Sequence, residues 1–259
     1  MIRGLYTSGW SMLAIEKKMD IISNNMANIN TTGYKKDTVV FESFPDVLTK
    51  RINDTRSNLN PSGTVGTMQL GSDVGEVFTY YDQGTLEKTD NKYDMAIWNS
   101  KSAFFSVLVP DYNGDMIEYY TRDGSFALDA SSRLVTKDGY IVEGENGAII
   151  LNGEEFSVES DGTVIQKGTN IGKLLIKEFE DTKTLRKYGS NLLKKTDQTT
   201  ERKFTGMVRQ GFIEQSNVNI VREMVDMISV MRSYEANQKI LQAQDSTLEK
   251  AVNEVGALR

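Results

Sequence analysis

The chain has 259 residues, 39% of them hydrophobic and 25% charged, with a net charge of −6 and neither cysteine nor histidine. That length buries a sizeable core in one or two domains. The missing residue types exclude disulfides, Cys/His zinc sites and Ser-His-Asp or Cys-His nucleophile systems, and a mildly acidic chain without long single-sign blocks argues against nucleic-acid binding, which needs a concentrated basic face.

At the N-terminus, MIRGLYTSGWSMLAIEKKMD holds no uninterrupted apolar run of signal-peptide length, and no later stretch approaches a membrane span. Direct membrane insertion is therefore not expected, and the chain is cytoplasmic unless it leaves by a route that needs no cleaved signal. Leu5, Ser8, Met12, Ile15, Met19, Ile22, Met26 and Ile29 recur at steps of three and four, which predicts an amphipathic helix with a heptad-like seam. It runs into SNNMANINTTGYKK (residues 23–36), rich in asparagine, a poor helix former, and closed by Gly33, which can take the left-handed conformation that ends a helix. Residues 1–35 are thus expected to be a coiled-coil helix with its stop. Residues 36–75 mix signals of a short helix with a polar loop and are expected to form an extended arm or linker.

Residues 76–205 read as β. EVFTYYDQGTLEKT suggests two short strands about Asp82-Gln83-Gly84. AFFSVLVP is a buried strand, and DYNGD turns it into MIEYYTR. Short apolar runs follow between turn signals at Lys137-Asp138-Gly139, Asn152-Gly153 and Ser160-Asp161-Gly162, and KLLIKEFE closes the series. Many short strands at this spacing predict an antiparallel sandwich or barrel-like body.

Of the 21 glycines, 17 lie between Gly63 and Gly211, and the next 44 residues contain neither glycine nor proline, which predicts a long C-terminal helix within residues 206–259. Its seam is Ile220, Met224, Met227, Met231, Tyr234, Leu241, Leu248 and Val252, with polar breaks at Gln238 and Asp245. The fold class expected is α+β: long terminal helices pairing as a coiled coil around a central antiparallel β-rich domain. Methionine is frequent on both seams. It serves either as a soft core residue or as an adaptable surface that meets several non-identical neighbours.

Catalytic patterns fail on inspection. DYNGDM (111–116) starts like a calcium loop but places Met116 at the glycine position and Arg122 where the bidentate glutamate belongs. GTNIGKL (168–174) falls one residue short of a phosphate loop, and Leu174 replaces the magnesium-binding hydroxyl. Asn30-Thr31-Thr32 and Asn53-Asp54-Thr55 fit a glycosylation pattern too short to carry weight. Carboxylate pairs stay open, but nothing marks one out. No catalytic, cofactor or metal site is expected, and the chain reads as a structural or binding protein.

Four stretches carry a family resemblance. Ala27-Asn28-Ile29-Asn30-Thr31-Thr32-Gly33-Tyr34-Lys35 resembles the N-terminal signature of bacterial flagellar basal-body rod and hook proteins. GTLEKTDNKYDMAI (84–97) is similar to that family's entry into the central domain, and YTRDGSF (120–126), with Tyr120, Thr121, Arg122 and Gly124, matches a short family motif. GFIEQSNVNIVREMVDMISVMRSYEANQK (211–239) is similar to its C-terminal helix and lead-in, through Ser216, Asn217, Val218 and Asn219 and then Tyr234, Glu235 and Asn237. One departure is WNSKSAFF (98–105), which stands where the family carries a glycine-rich turn.

The resemblance implies a structural subunit of the flagellar rod, of distal-rod or closely related hook-basal body type. Such a subunit is exported without a cleaved signal by the flagellar type III apparatus and is located in the extracytoplasmic basal body. It implies a homopolymer formed through the seam residues into the axial drive shaft for motility, in contact with other rod and hook proteins, the export apparatus and surrounding ring proteins. The asparagines after the first helix then cap backbone groups or bond neighbouring subunits, and Tyr34 and Lys35 start the outward path. Two alternatives stay open: an extracellular binding module or envelope hydrolase on a coiled-coil stalk, and a hook-type axial subunit.

Overall fold

A computed structural model of the chain describes residues 2–50, 64–111, 114–152 and 155–255. Asn53-Asp54-Thr55, the Tyr112-Asn113 apex of the DYNGD turn and Gly153 lie outside the described residues. The chain divides into two compact units, Met1–Asn24 with Asp37–Phe78 and Val221–Arg259, and Asn25–Lys36 with Thr79–Ile220.

The first unit holds most of both helices. Helix α1 spans Ile2–Ala27. Its covered residues include Leu5, Ser8, Met12, Ile15, Met19 and Ile22, with Ile22 and Ser8 buried, so coverage follows the apolar period. Helix α2 spans Ile220–Lys250 and continues as a π-helical turn, Ala251–Val255. Its 31 residues extend about 46 Å. The glycine-free stretch does not all become helix, because Phe212–Glu214 is a strand paired with Leu86–Lys88. Along α2 the better-covered residues are Glu223, Met227, Val230, Tyr234, Asn237, Leu241, Gln244 and Leu248, again at steps of four and three. One row of that stripe is largely polar. The apolar row beside it, Val221, Met224, Val225, Ile228 and Met231, is exposed, as are Ile220, Ile240 and Val252.

Near their outer ends α1 and α2 line one groove of about 560 Å³, formed by Leu5, Tyr6, Gly9, Trp10 and Leu13 with Leu241, Gln242 and Asp245. Residues 36–75 contain no helix among the described residues. Asp37–Ser43 pairs with Ser72–Thr79, and Val47–Lys50 pairs antiparallel with Thr64–Met68, with a register shift at Thr49/Lys50. This ribbon lies on a second face of α1. Trp10 stacks edge-on against Phe44 at 5.1 Å, Lys18 sits over the Phe41 ring, and Thr7 Oγ1 donates to Leu70 O at 3.0 Å. The alternation there is masked because Val40, Phe41, Val47 and Leu48 are all exposed, so neither strand shows a buried face.

The second unit is the β body, and all its ladders are antiparallel. Ala103–Pro110 is the central strand. Met116–Thr121 runs along one edge, with Phe105 opposite Thr121 and Val107 opposite Tyr119. Its other edge is shared by Ile176–Phe179, with Ile176 opposite Phe105, and Ile141–Gly144, with Val142 opposite Val107. Successive side chains of a strand point to opposite faces, so Phe105, Val107 and Tyr119 enter one core with Phe126, Leu134 and Leu151. Phe104 and Tyr120 enter a second with Phe179, Leu185 and Leu193.

Strands also continue beyond KLLIKEFE, at Arg186–Tyr188, Leu192–Lys194, Glu201–Arg202 and Met207–Gln210. The series therefore does not close there. The two strands about Asp82-Gln83-Gly84 exist but do not pair with each other: Ser72–Thr79 joins the ribbon and Leu86–Lys88 joins Phe212–Glu214. The turns at Gly139 and Gly162 form, both glycines at positive φ.

Candidate functional site

The asparagine-rich corner does not end as a glycine-capped helix. Helix α1 stops at Ala27, and Gly33 lies six residues on, at φ +69°. Between them Asn28 Oδ1 accepts from Thr31 Oγ1, while Ala27 and Asn30 stay exposed. Gly33 is needed for close approach. A Cβ there would lie 2.4 Å from Asp123 N and 2.5 Å from the carbonyl carbon of Arg122, both backbone atoms that cannot yield. Its N–H donates to Glu214 O at 2.8 Å. Tyr34 and Lys35 carry the chain from the end of α1 into the β body, with both side chains buried there. Tyr34 is buried, its hydroxyl donates to Asn25 Oδ1 at 3.2 Å, and Lys187 Nζ stands 4.6 Å above its ring.

Lys35 Nζ donates to Glu214 Oε1 at 2.5 Å and to Asp82 O at 2.8 Å. Glu214 Oε2 accepts from Arg122 Nε at 2.6 Å. Arg122 spends its terminal nitrogens on backbone, Nη1 on Ala103 O and Nη2 on Ser100 O and Ile97 O. All three charged side chains are buried, Glu214 completely. Three family-like stretches thus meet in one ionic cluster: the N-terminal signature, YTRDGSF and GFIEQ. Burial pushes the Glu214 carboxyl up, but Arg122 and Lys35 outweigh it and hold the group below its ordinary value. Lys35 is lowered, chiefly by burial and further by Arg122, with Glu214 opposing.

Around the cluster, Thr32 Oγ1 donates to Asp123 Oδ1 at 2.5 Å, and Asn191 Nδ2 to Thr32 O at 3.1 Å. Burial raises Asp123, and the Thr32 hydroxyl moderates the rise. Gly124 lets Met95 come near, since a Cβ there would lie 1.5 Å from Met95 O. Tyr120 and Thr121 are buried in the strand before it, and Thr121 Oγ1 accepts from Asp123 N. Asn217 Oδ1 accepts from Lys36 N at 2.8 Å, and its Nδ2 donates to Tyr80 O at 2.8 Å. Ser216 Oγ accepts from Val218 N–H, Val218 is buried, and Asn219 is exposed.

The remaining motif residues, Tyr234, Glu235 and Asn237, lie along α2 in the other unit, where Glu235 is exposed. Met26 and Ile29 are partly covered in the stretch around the helix end. The departing turn WNSKS closes without glycine because Asn99 takes φ +64° and Ser100 is gripped twice, its carbonyl by Arg122 and its hydroxyl by Glu178.

Sequence reasoning passed over Glu214 and Asp123 as site residues, although both stand inside quoted motifs. The signal for Glu214 was a lone carboxylate in the apolar run Gly211-Phe212-Ile213-Glu214. Buried carboxylates here are saturated: Glu178 accepts from Ser100, Arg202 and Thr205, and Glu214 from Lys35, Arg122 and Gly84 N–H. Among the described residues no group of three His, Cys, Asp or Glu could hold a metal, and no helix is long and apolar enough to cross a membrane.

Helices at both ends, a β body between them and a site made of saturated ion pairs define a structural protein built for packing. Three family descriptions match the chain: Flagella basal body rod protein at residues 5–35, Flagellar hook protein FlgE/F/G D1 domain at 101–166, and Flagellar basal body rod FlgEFG protein C-terminal at 209–254. The chain is 38% identical to flagellar basal-body rod protein FlgG of Buchnera aphidicola subsp. Schizaphis graminum, over 96% of this chain and 98% of that one. It is 31% identical to flagellar hook-basal body complex protein FlhO of Bacillus subtilis and 31% identical to flagellar basal-body rod protein FlgF of Rhizobium meliloti, over the whole of both chains in each case. The chain belongs to the flagellar basal-body rod protein family, whose members are structural proteins and not enzymes.

Proposed function

We propose that this chain polymerises as a subunit of the flagellar rod, is exported by the flagellar type III apparatus, and transmits torque without chemistry. The observation that carries the reading is the exposed apolar row Val221, Met224, Val225, Ile228 and Met231 on α2. A soluble monomer rarely shows a continuous apolar stripe unless another surface covers it. In this reading α1 and α2 pair as a coiled coil through the seam residues Leu5, Met12, Ile15, Met19 and Ile22 and Met227, Tyr234, Leu241 and Leu248, while the exposed row meets neighbouring subunits of the axial structure. Other rod and hook proteins are the partners that family membership supports.

Electron microscopy of cells carrying a clean deletion of the gene tests the proposal. The expected result is loss of hooks and filaments, restored by the full-length gene and not by one lacking residues 1–35. Normal flagella in the deletion strain would overturn it.

A further inference from the structure

Four of the side chains that receive residues 31–36 also hold partners of their own within the β body. Arg122 and Glu214 already form a one-to-one charge pair. Arg122's other donors reach Ala103, Ser100 and Ile97, and Glu214 takes the N–H of Gly84. Asp123 accepts from Ser125 N, and Asn217 holds Tyr80 O through Nδ2. Each of these groups has a partner elsewhere in the β body and offers spare capacity to the segment.

What it offers follows a main chain. Thr32 O, Gly33 N, Lys35 O and Lys36 N are each met, by Asn191 Nδ2, Glu214 O, Lys187 Nζ and Asn217 Oδ1. Two side chains are read by carboxylates, Thr32 by Asp123 and Lys35 by Glu214. Backbone hydrogen bonds for affinity with side-chain subsites for specificity are how proteins hold peptides, and here the segment is presented as a turn, Tyr34 N–H donating to Thr31 O at 3.3 Å with Gly33 at φ +69°. We propose that the β body is a peptide-binding site for a Thr-Thr-Gly-Tyr-Lys segment, filled in this chain by its own residues, which dock and undock as a unit. The tether gives the segment a high effective concentration, of the order of mM, so a free peptide does not compete with it in the wild type.

The test uses the full chain in three forms: wild type, Lys35→Glu, which sets a carboxylate against Glu214, and Gly33→Val, which forces a side chain onto Asp123 N. A fluorescein-labelled peptide of residues 25–36 is titrated into each and followed by anisotropy. Hydrogen exchange on strands Ala103–Pro110 and Met116–Thr121 reports whether the body is folded. The expected result is protected strands in the variants and peptide binding at least about tenfold tighter than to wild type, because the variants vacate the site. The same peptide carrying Lys35→Glu is expected not to bind. Loss of strand protection in both variants would show that the body cannot form without the segment. Binding to neither variant, or equal binding to wild type, would overturn the proposal as well.

Discussion

At the scale of single residues, Glu214 decides whether the N-terminal signature is held. Among the described residues it is the one anion bonded to both buried cations, Lys35 and Arg122, and removing an anion from such a site strands charge in a poor solvent. Glu214→Gln is expected to cost about 3–5 kcal/mol in urea unfolding, because Arg122 and Lys35 are left uncompensated. Lys35→Met is expected to cost less, about 1–3 kcal/mol, because Arg122 and Glu214 remain a neutral pair and Asp82 O keeps the Asn217 donor. The two residues also separate by pH. Glu214 is held below its ordinary 4.5, so its contribution is complete above that value and is lost as pH falls through the lower folded value. Lys35 is held below 10.5, so between its folded value and 10.5 the unfolded chain binds more protons and stability rises with pH. Urea midpoints taken across both windows are expected to show wild type losing its advantage over Glu214→Gln in acid, and gaining on Lys35→Met in the alkaline window. A difference curve flat in both windows would remove the ionic cluster from the account of stability.

At the scale of elements, Gly33 joins the end of α1 to the β body by taking a conformation that other residues resist. Gly33→Ala adds about 1–2 kcal/mol of left-handed strain and puts a methyl into the backbone of Arg122 and Asp123. The expected outcome is faster amide exchange at Lys36, whose N–H donates to Asn217 Oδ1, with unchanged protection in Ala103–Pro110; unchanged exchange at Lys36 would count against the docking role. That role was not legible in the sequence, although the glycine was. Lys35 and Glu214 are 179 residues apart, and no local period links a lysine after a turn to a carboxylate in a later strand. Helix α1 was legible because its apolar and covered positions coincide, from Leu5 through Ile22. On α2 they part company. Counting apolar residues selects Met224 and Met231, which are exposed, whereas the covered row of this single chain carries Glu223, Asn237 and Gln244. Apolar periodicity reports that a face can be buried and is silent on which neighbour buries it. The ribbon of residues 37–50 and 64–79 was illegible for a related reason: covered and exposed residues come in blocks along its strands, so there is no alternation to read.

At the scale of the whole molecule, the proposal that the exposed apolar row of α2 is an interface separates folding from assembly. Met231 stands about half-exposed, so a charge there meets water in the single chain, and a surface substitution of this kind changes stability by about 0.5 kcal/mol or less. In the proposed polymer a neighbouring helix covers the row, the same charge is buried without a partner, and the cost rises to several kcal/mol at each interface. Met231→Asp is therefore expected to keep the wild-type urea midpoint and the wild-type exchange pattern in the β body. Cells carrying it as their only copy are expected to lack hooks and filaments in electron micrographs. Val230→Asp is the contrasting variant: Val230 is already buried in the single chain, so it is expected to lower the midpoint as well as block assembly. If Met231→Asp cells build normal flagella while the protein stays folded, the exposed row is not an interface and the joint between subunits must be sought elsewhere. If Met231→Asp unfolds the chain, the row belongs to the monomer's own packing and the separation of folding from assembly fails.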